Sequence, residues 1–328
     1  MKVTVIIPNF NGERYLADCL KSLLNQSYTD YEIVIVDNGS TDNSIKVAMK
    51  IAPQVTVYRL DGNRGFSAAV NYGIIHSNSE YVVLLNNDTI ATETWLQNLI
   101  ESIESAPEAF SYSSKMIQYY SPEQIDNAGD EMTFFGWAYQ EGHGANINSY
   151  CTNREIFSSC AGSAIYRKKV FDTIGLFDEN FFAYLEDVDI GYRARLAGYK
   201  NYYCASSLVY HIGSATTGHG YNPLKVKLSA RNSFYLLYKN FSVLQWVVNT
   251  PFLIMGHLSR YFFYKRLGFH KDYLDGLKEG FGNRENIGSR YCKNSNAKSI
   301  YKIQIYIMKK GVQYTLKKGK KILGIRQV

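Results

Sequence analysis

Several signatures that would place a chain of 328 residues are missing from this one. Its five cysteines (Cys19, Cys151, Cys160, Cys204 and Cys292) form no CxxC pair and no regular spacing, so reduced thiols in a cytosolic protein are expected. There is no GxGxxG turn and no GxxxxGK[ST] loop, and dinucleotide binding and P-loop hydrolysis lose support accordingly. No uninterrupted apolar run approaches the ~20 residues needed to span a bilayer, because Asn249, Pro251, His257 and Arg260 break the stretch 243–264. The chain runs straight into a strand, with no signal peptide expected ahead of it. No nucleic-acid recognition motif accompanies its basic residues.

What is present is aromatic and unevenly charged. The chain holds 28 Tyr and 17 Phe, a density found along sugar and membrane interfaces as well as in cores. Net charge is +7, yet from Arg260 onward there are 17 Lys and Arg against four Asp and Glu, a local +13 that leaves −6 for the rest. A mildly acidic body with a basic tail predicts attraction of the tail to anionic lipid or another polyanion.

The first hundred residues alternate strands and helices. Apolar runs at 2–8, 31–36, 55–60 and 81–85 predict strands, with helices at 13–25, 67–76 and 92–105, which makes a parallel α/β sheet. Polar turns close each strand: Asn9-Phe10-Asn11-Gly12, the run from Asp37 to Asp42, Asn63-Arg64-Gly65-Phe66, and Asn86-Asn87-Asp88-Thr89. In open α/β sheets ligands bind at the strands' carboxyl ends, so these four turns can converge on one crevice. Each also has a plainer reading: Asp37 as a turn-stabilising residue beside Gly39, Asp88 as part of a loop capping the next helix, Arg64 as a surface charge.

The strings VIIPNFNG (5–12), IVDNGSTDNS (35–44), NRGFSAA (63–69) and LLNNDT (84–89), in that order and spacing, closely resemble family 2 glycosyltransferases of the GT-A fold. The later string GLFDENFFAYLEDVDIGYRARLAGY (175–199) and the segment from Gln124 to Gly129 resemble the subset containing bacterial rhamnosyltransferases. The resemblance covers about residues 1–240 and implies a Rossmann-like mixed sheet. It places a GT-A domain at 1–220, with a nucleotide half at about 1–106 and an acceptor half at about 107–220, before a basic helical extension at 221–328.

Carried over residue by residue, it implies that Pro8, Asn9 and Phe10 border the nucleotide and that Asp37 hydrogen-bonds the base. Asn63, Arg64, Gly65 and Asn87 complete the donor side, with Arg64 near the diphosphate. Asp88 matches the last position of a DxD-type motif that holds Mg²⁺ or Mn²⁺, and His211 completes that metal site. Asn86 stands where many members have Asp, so one ligand brings no charge. Asp187 matches the catalytic base. Glu186 would hold an acceptor hydroxyl, and Gly162, Phe182 and Tyr184, with Phe181, would line the acceptor pocket.

The implied activity is inverting transfer of a sugar from a dTDP- or UDP-sugar to a saccharide or lipid-linked saccharide. L-rhamnose heads the donors, UDP-galactofuranose or another UDP-hexose is the alternative, and a degenerate sugar-nucleotide-binding module is the reading from another class. Asp189 and Arg193 read instead as a structural i,i+4 pair. The segment 134–148 reads as a flap near the donor. The region 243–264 reads as an interfacial element with basic flanks, or as a face buried on the main domain or in an oligomer, and the lysines of 309–321 as a solvated helix that meets anionic lipid. A peripheral place on the inner face of the cell membrane follows from that reading.

Overall fold

The computed structural model describes residues 1–213, 220–287, 291 and 295–322. The polar loop expected after Gly213, and Cys292, lie outside the described residues. The amino-terminal elements are β1 (Val3–Asn9), α1 (Leu16–Leu24), β2 (Tyr31–Asp37), α2 (Ser44–Ile51), β3 (Thr56–Arg59), α3 (Phe66–His76), β4 (Tyr81–Leu85), β5 (Thr89–Ala91) and α4 (Trp95–Glu104). There follow β6 (Ala109–Gln118), β7 (Ile125–Asn127), β8 (Asp130–Met132), β9 (Ala138–Gln140), β10 (Arg154–Ile156), β11 (Ser163–Arg167), α5 (Phe171–Ile174), α6 (Glu186–Leu196) and β12 (Lys200–His211). Four helices end the described chain: α7 (Pro223–Asn240), α8 (Val243–Arg266), α9 (His270–Gly282) and α10 (Ala297–Ile322).

Ten strands form one mixed sheet in the order β10-β12-β6-β11-β4-β1-β2-β3, with β5 paired to β12 and β7 to β6. β4, β1, β2 and β3 run parallel, while β11 lies antiparallel between β4 and β6. The GT-A-type mixed α/β architecture expected from the motifs is therefore the observed one. Alternation along β1 and β4 builds two cores. Val3, Val5, Ile7, Val83 and Leu85 pack on one face with α1 and α4, and Ile6, Val82 and Leu84 on the other with α3 and α6. All five residues of β4 are buried, as an interior strand covered on both faces requires.

Contacts divide the chain into two compact units. The first comprises Met1–Asp130, Gln140–Ala194 and Tyr199–Tyr221, and the second Glu131–Tyr139, Arg195–Gly198 and Asn222–Val328. In the second unit, Asn222 caps α7 by accepting from Lys225 N at 3.0 Å, ahead of Pro223 at the first helical position. α9 lies against α7 because Gly276 carries no Cβ, which would stand 2.3 Å from Lys227 O.

One expectation is corrected here. Residues 134–139, read as part of a donor-site flap, belong to the helical unit: Phe134 meets Phe252 edge-on, Trp137 meets Tyr314, and Gly136 abuts Leu253. An aromatic cluster buries more apolar surface there than a solvated flap could. Pro251, one of the residues interrupting the apolar run, lies inside one continuous α8, where the neighbouring Thr250 Oγ1 donates to Trp246 O at 2.6 Å.

Half-buried His257 supplies a pH test in this unit. Burial, and then the nearby Arg260, lower its pKa from 6.5 to about 4, and its Nδ1 lies 2.7 Å from Tyr273 Oη. Between those values the unfolded chain takes up a proton that the folded chain refuses, so this stability is full above about pH 6.5 and is lost as pH falls toward 4. Thermal melts of the wild type and His257→Gln across that window should show the steeper acid loss in the wild type; parallel curves would refute the assignment.

Candidate functional site

The sheet's central strands end together, and buried amides join their ends. Asn9 Nδ2 donates to Asp37 Oδ1 (3.3 Å), Ser40 Oγ (3.1 Å) and Ser44 Oγ (2.9 Å), while Asn9 Oδ1 accepts from Asn87 Nδ2 (2.8 Å). Asn9 and Asn87 thus tie β1, β2 and β4 to one another. Gly12 follows from this, since a Cβ there would stand 2.2 Å from Asn87 Nδ2. Pro8 and Asn9 are the last residues of β1, with Phe10 directly after them.

Asp37 is fully buried, and its Oδ2 has no hydrogen bond although Arg59 Nε lies 3.3 Å away, because distance is met there without alignment. A buried carboxylate oxygen left with a lone pair free suits a ligand N–H. Asn38 Oδ1 accepts from Arg64 N (2.9 Å) and Asn63 Oδ1 from Gly65 N (3.0 Å), which shapes the turn before α3. The Arg64 guanidinium is exposed and pairs with Glu179 at 3.2 Å. Gly65, at φ 86°, admits Phe182: a Cβ would meet Phe182 O at 2.5 Å.

Around Asp88 the structure assembles more than the motif alone suggested. β5, which sequence patterning did not anticipate, pairs with the end of β12 and sets Thr89 opposite His211. His211 Nε2 then lies 3.5 Å from Asp88 Oδ1, and its Nδ1 lies 2.7 Å from Asp126 Oδ2. Asp126 also stands 3.4 Å from His143 Nδ1. Hydrogen bonds from His143 and His211 hold the Asp126 carboxyl below the usual range against its burial, and the two carboxylates raise His211 to about 10, likewise against burial. Asp126 was visible only as a letter in the 124–129 string, and His143 carried no signal at all. An ionised carboxylate on Nδ1 fixes which ring nitrogen points at Asp88, an arrangement common behind metal-bound histidines.

Asp88, His211 and the Asn86 amide fit a hard divalent cation by donor type, two of them oxygen donors. Asp130, Cys160 and Asp187 also bring ligand atoms within 4.8 Å of one another, but this group fits less well. Burial, with Asp130 and Asp187 nearby, pushes the Cys160 thiol well above its ordinary pKa, and a neutral thiol is a poor ligand for such an ion.

Asp187 lies at the start of α6. Val188 N donates to its Oδ1 at 2.8 Å and Ala161 N to its Oδ2 at 3.4 Å, and its carbonyl accepts from Ser158 Oγ. The next residue, Gly162, accepts through its carbonyl from Asn86 N at 2.9 Å. Residues 161 and 162 therefore connect the Asn86–Asp88 turn to Asp187. A Cβ on Gly162 would stand 3.1 Å from Asn86 Nδ2. Burial raises the Asp187 pKa, and burial followed by the Asp187 charge raises that of Glu186 well above the carboxylate range. Glu186 Oε2 is buried with no hydrogen bond.

Just before them Phe182, Tyr184 and Leu185 all adopt positive φ (62°, 73° and 68°), strain of a kind that gathers at functional sites. Phe181 is different. Its ring is wholly buried and belongs to the core, which corrects its assignment to an acceptor wall.

Asp189 is structural, as its spacing suggested. Its carboxylate receives Arg193 at 2.8 Å with both side chains buried, and the guanidinium also donates to the carbonyls of Ile174, Gly175 and Leu176. Asp189→Ala would strand that cation and should cost about 3–5 kcal/mol, read as a lowered denaturant midpoint. An unchanged midpoint would show the pair to be dispensable.

The profile of glycosyl transferase family 2 matches residues 4–175, just over half of the chain. The chain belongs to that family. Glycosyltransferase GlyG of Streptococcus pneumoniae is 31% identical over 105 residues, which are 31% of this chain and 35% of GlyG. The chain therefore spans about a third of that relative's length. Among solved structures, GalNAc-T7 with UDP, GalNAc and Mn²⁺ shares the fold at a TM-score of 0.60 and 16% identity, over 73% of this chain and 48% of that one. Residues 1–349 of S. aureus TarS align at a TM-score of 0.50 and 17% identity, over 87% of this chain and 92% of that one. Identities this low show the architecture that this family 2 chain has in common with them.

Proposed function

We propose that this family 2 chain is an inverting glycosyltransferase that moves a hexosyl group from a nucleoside diphosphate donor to a hydroxyl of a saccharide or lipid-linked acceptor. Residues 1–220 carry the transferase, with the nucleotide on 1–106 and the acceptor on 107–220, and 221–328 form a basic extension. The observation that carries the reading is the pair of hydrogen bonds through residues 161 and 162, which tie the Asn86–Asp88 turn to Asp187.

Asp187 accepts the acceptor's proton as the glycosidic bond forms, and its burial moves its pKa toward the neutral range where a base works best. The anomeric carbon is oxocarbenium-like at that point, as in glycoside hydrolysis. With one base and no nucleophilic side chain, configuration at that carbon inverts. Asp88, Asn86 and His211 would hold Mg²⁺ or Mn²⁺, which, when bound, neutralises charge gathering on the departing diphosphate. Asp37 offers its spare oxygen to the base N–H, and Glu186, whose pKa burial raises well above the usual carboxylate range, holds an acceptor hydroxyl.

dTDP-L-rhamnose is the first donor in this proposal, on the resemblance of 175–199 to rhamnosyltransferases, and UDP-galactofuranose or another UDP-hexose is the second. The mechanism is the same for each. The setting is surface-polysaccharide synthesis, with the chain peripheral on a membrane. Thermal shift against a panel of dTDP- and UDP-sugars with Mn²⁺ tests the donor, since a ligand at 100 times its Kd adds about 2.7 kcal/mol. A rise in Tm with one nucleotide class supports the reading, and no rise with any sugar nucleotide would overturn it. A donor that binds yet stays intact with every acceptor would favour the degenerate module.

A further inference from the structure

α8 is built inside out. From Val243 to Ser259 it contains no charged residue, yet beside Leu253 the side chains it buries are the polar Gln245 and Asn249. Gln245 and Asn249 are each 1% exposed, and Asn249 and Gln304 of α10 exchange two amide hydrogen bonds of 2.9 Å. Leu244, Val247, Ile254, Met255, Leu258 and Phe262 meanwhile stand 53–70% exposed. At 3.6 residues per turn these six fall within about 100° of arc, one unbroken stripe along the helix. A helix facing water turns its apolar stripe inward, and this one does the reverse.

α10 repeats the pattern with charge added. Tyr301, Ile305, Met308, Val312 and Leu316, spaced by four, three, four and four residues, are 46–66% exposed. The same helix carries eight lysines and neither Asp nor Glu. Apolar stripes of this extent mark an interaction surface.

Charge chooses the partner. A second copy related by a twofold axis would bring one lysine-rich helix toward another, and like charges at an interface oppose association. Anionic headgroups complement the lysines, whose long stems also lie along apolar surface while their ammonium groups reach the phosphates. Among the described residues no helix is long and apolar enough to cross a membrane, so these helices would lie in the interface.

We infer that the exposed faces of α8 and α10 are a docking surface for an anionic lipid bilayer. This gives a place of contact to the peripheral association proposed above, and it stands on the helical unit alone, without the transfer chemistry.

Flotation of the full chain with vesicles of phosphatidylcholine, with and without phosphatidylglycerol, tests it. Expected is binding at least tenfold stronger to the phosphatidylglycerol vesicles, weakened by salt. The double variant Val247→Glu, Leu258→Glu should lose vesicle binding at least tenfold with an unchanged Tm. The double variant Lys302→Glu, Lys309→Glu should lose the preference for the anionic lipid. Absence of vesicle binding, or equal binding to both compositions, would overturn the inference. So would a stable dimer that Leu258→Glu converts to a monomer. Donor-induced thermal shift, run on the same samples, separates the two proposals: it survives a failure of the surface, and vesicle binding survives a failure of the donor reading.

Discussion

Asp187→Asn should lower transfer by about 10²–10⁴-fold while leaving donor binding intact. Asparagine keeps the volume at the start of α6 and can still accept from Val188 N, so the change removes a basic oxygen and little else. The same substitution lifts the like charge beside Glu186, whose pKa should drop toward its ordinary value as burial is left to act alone. In the wild type, activity should fall on the acid side at a pH above the ordinary carboxylate range, because burial raises the Asp187 pKa. Full activity in the variant, or an acid limb at the ordinary value, would remove Asp187 as the base.

The second large effect falls on Asp88. Asp88→Ala takes away the one charged oxygen donor among Asp88, Asn86 and His211, and transfer should drop by roughly two to three orders of magnitude, the several kcal/mol a Lewis acid supplies. Mn²⁺ should no longer increase the donor's thermal shift. Asn86→Asp should do the opposite and tighten Mn²⁺, since it adds a charge where the present chain has a neutral amide. Equal Mn²⁺ response in all three proteins would place the cation elsewhere.

How much of this could be read beforehand depended on the range of the interactions. The strands and their polar ends were legible because β1, β2 and β4 are short apolar runs that stop abruptly. The Asp189–Arg193 pair was legible because it lies within one helical turn. Asp126 and His143 were not, since Asp126 meets His211, 85 positions away, only because β7 and the end of β12 both pair with β6. The 134–139 hairpin misled for the opposite reason: Gly and aromatics in a row suit a flap, and only the partners Phe252 and Tyr314, far along the chain, turn them into core. In α8, composition showed an interrupted apolar stretch, but not that Asn249, one of the interruptions, faces inward together with Gln245.

Crystals grown with Mn²⁺ and a non-hydrolysable nucleotide sugar, measured at the manganese absorption edge, provide the most direct trial. The anomalous peak is expected within coordination distance of Asp88, with the nucleotide base beside Asp37 and the sugar turned toward Asp187. A peak among Asp130, Cys160 and Asp187, or a nucleotide remote from Asp37, would contradict it.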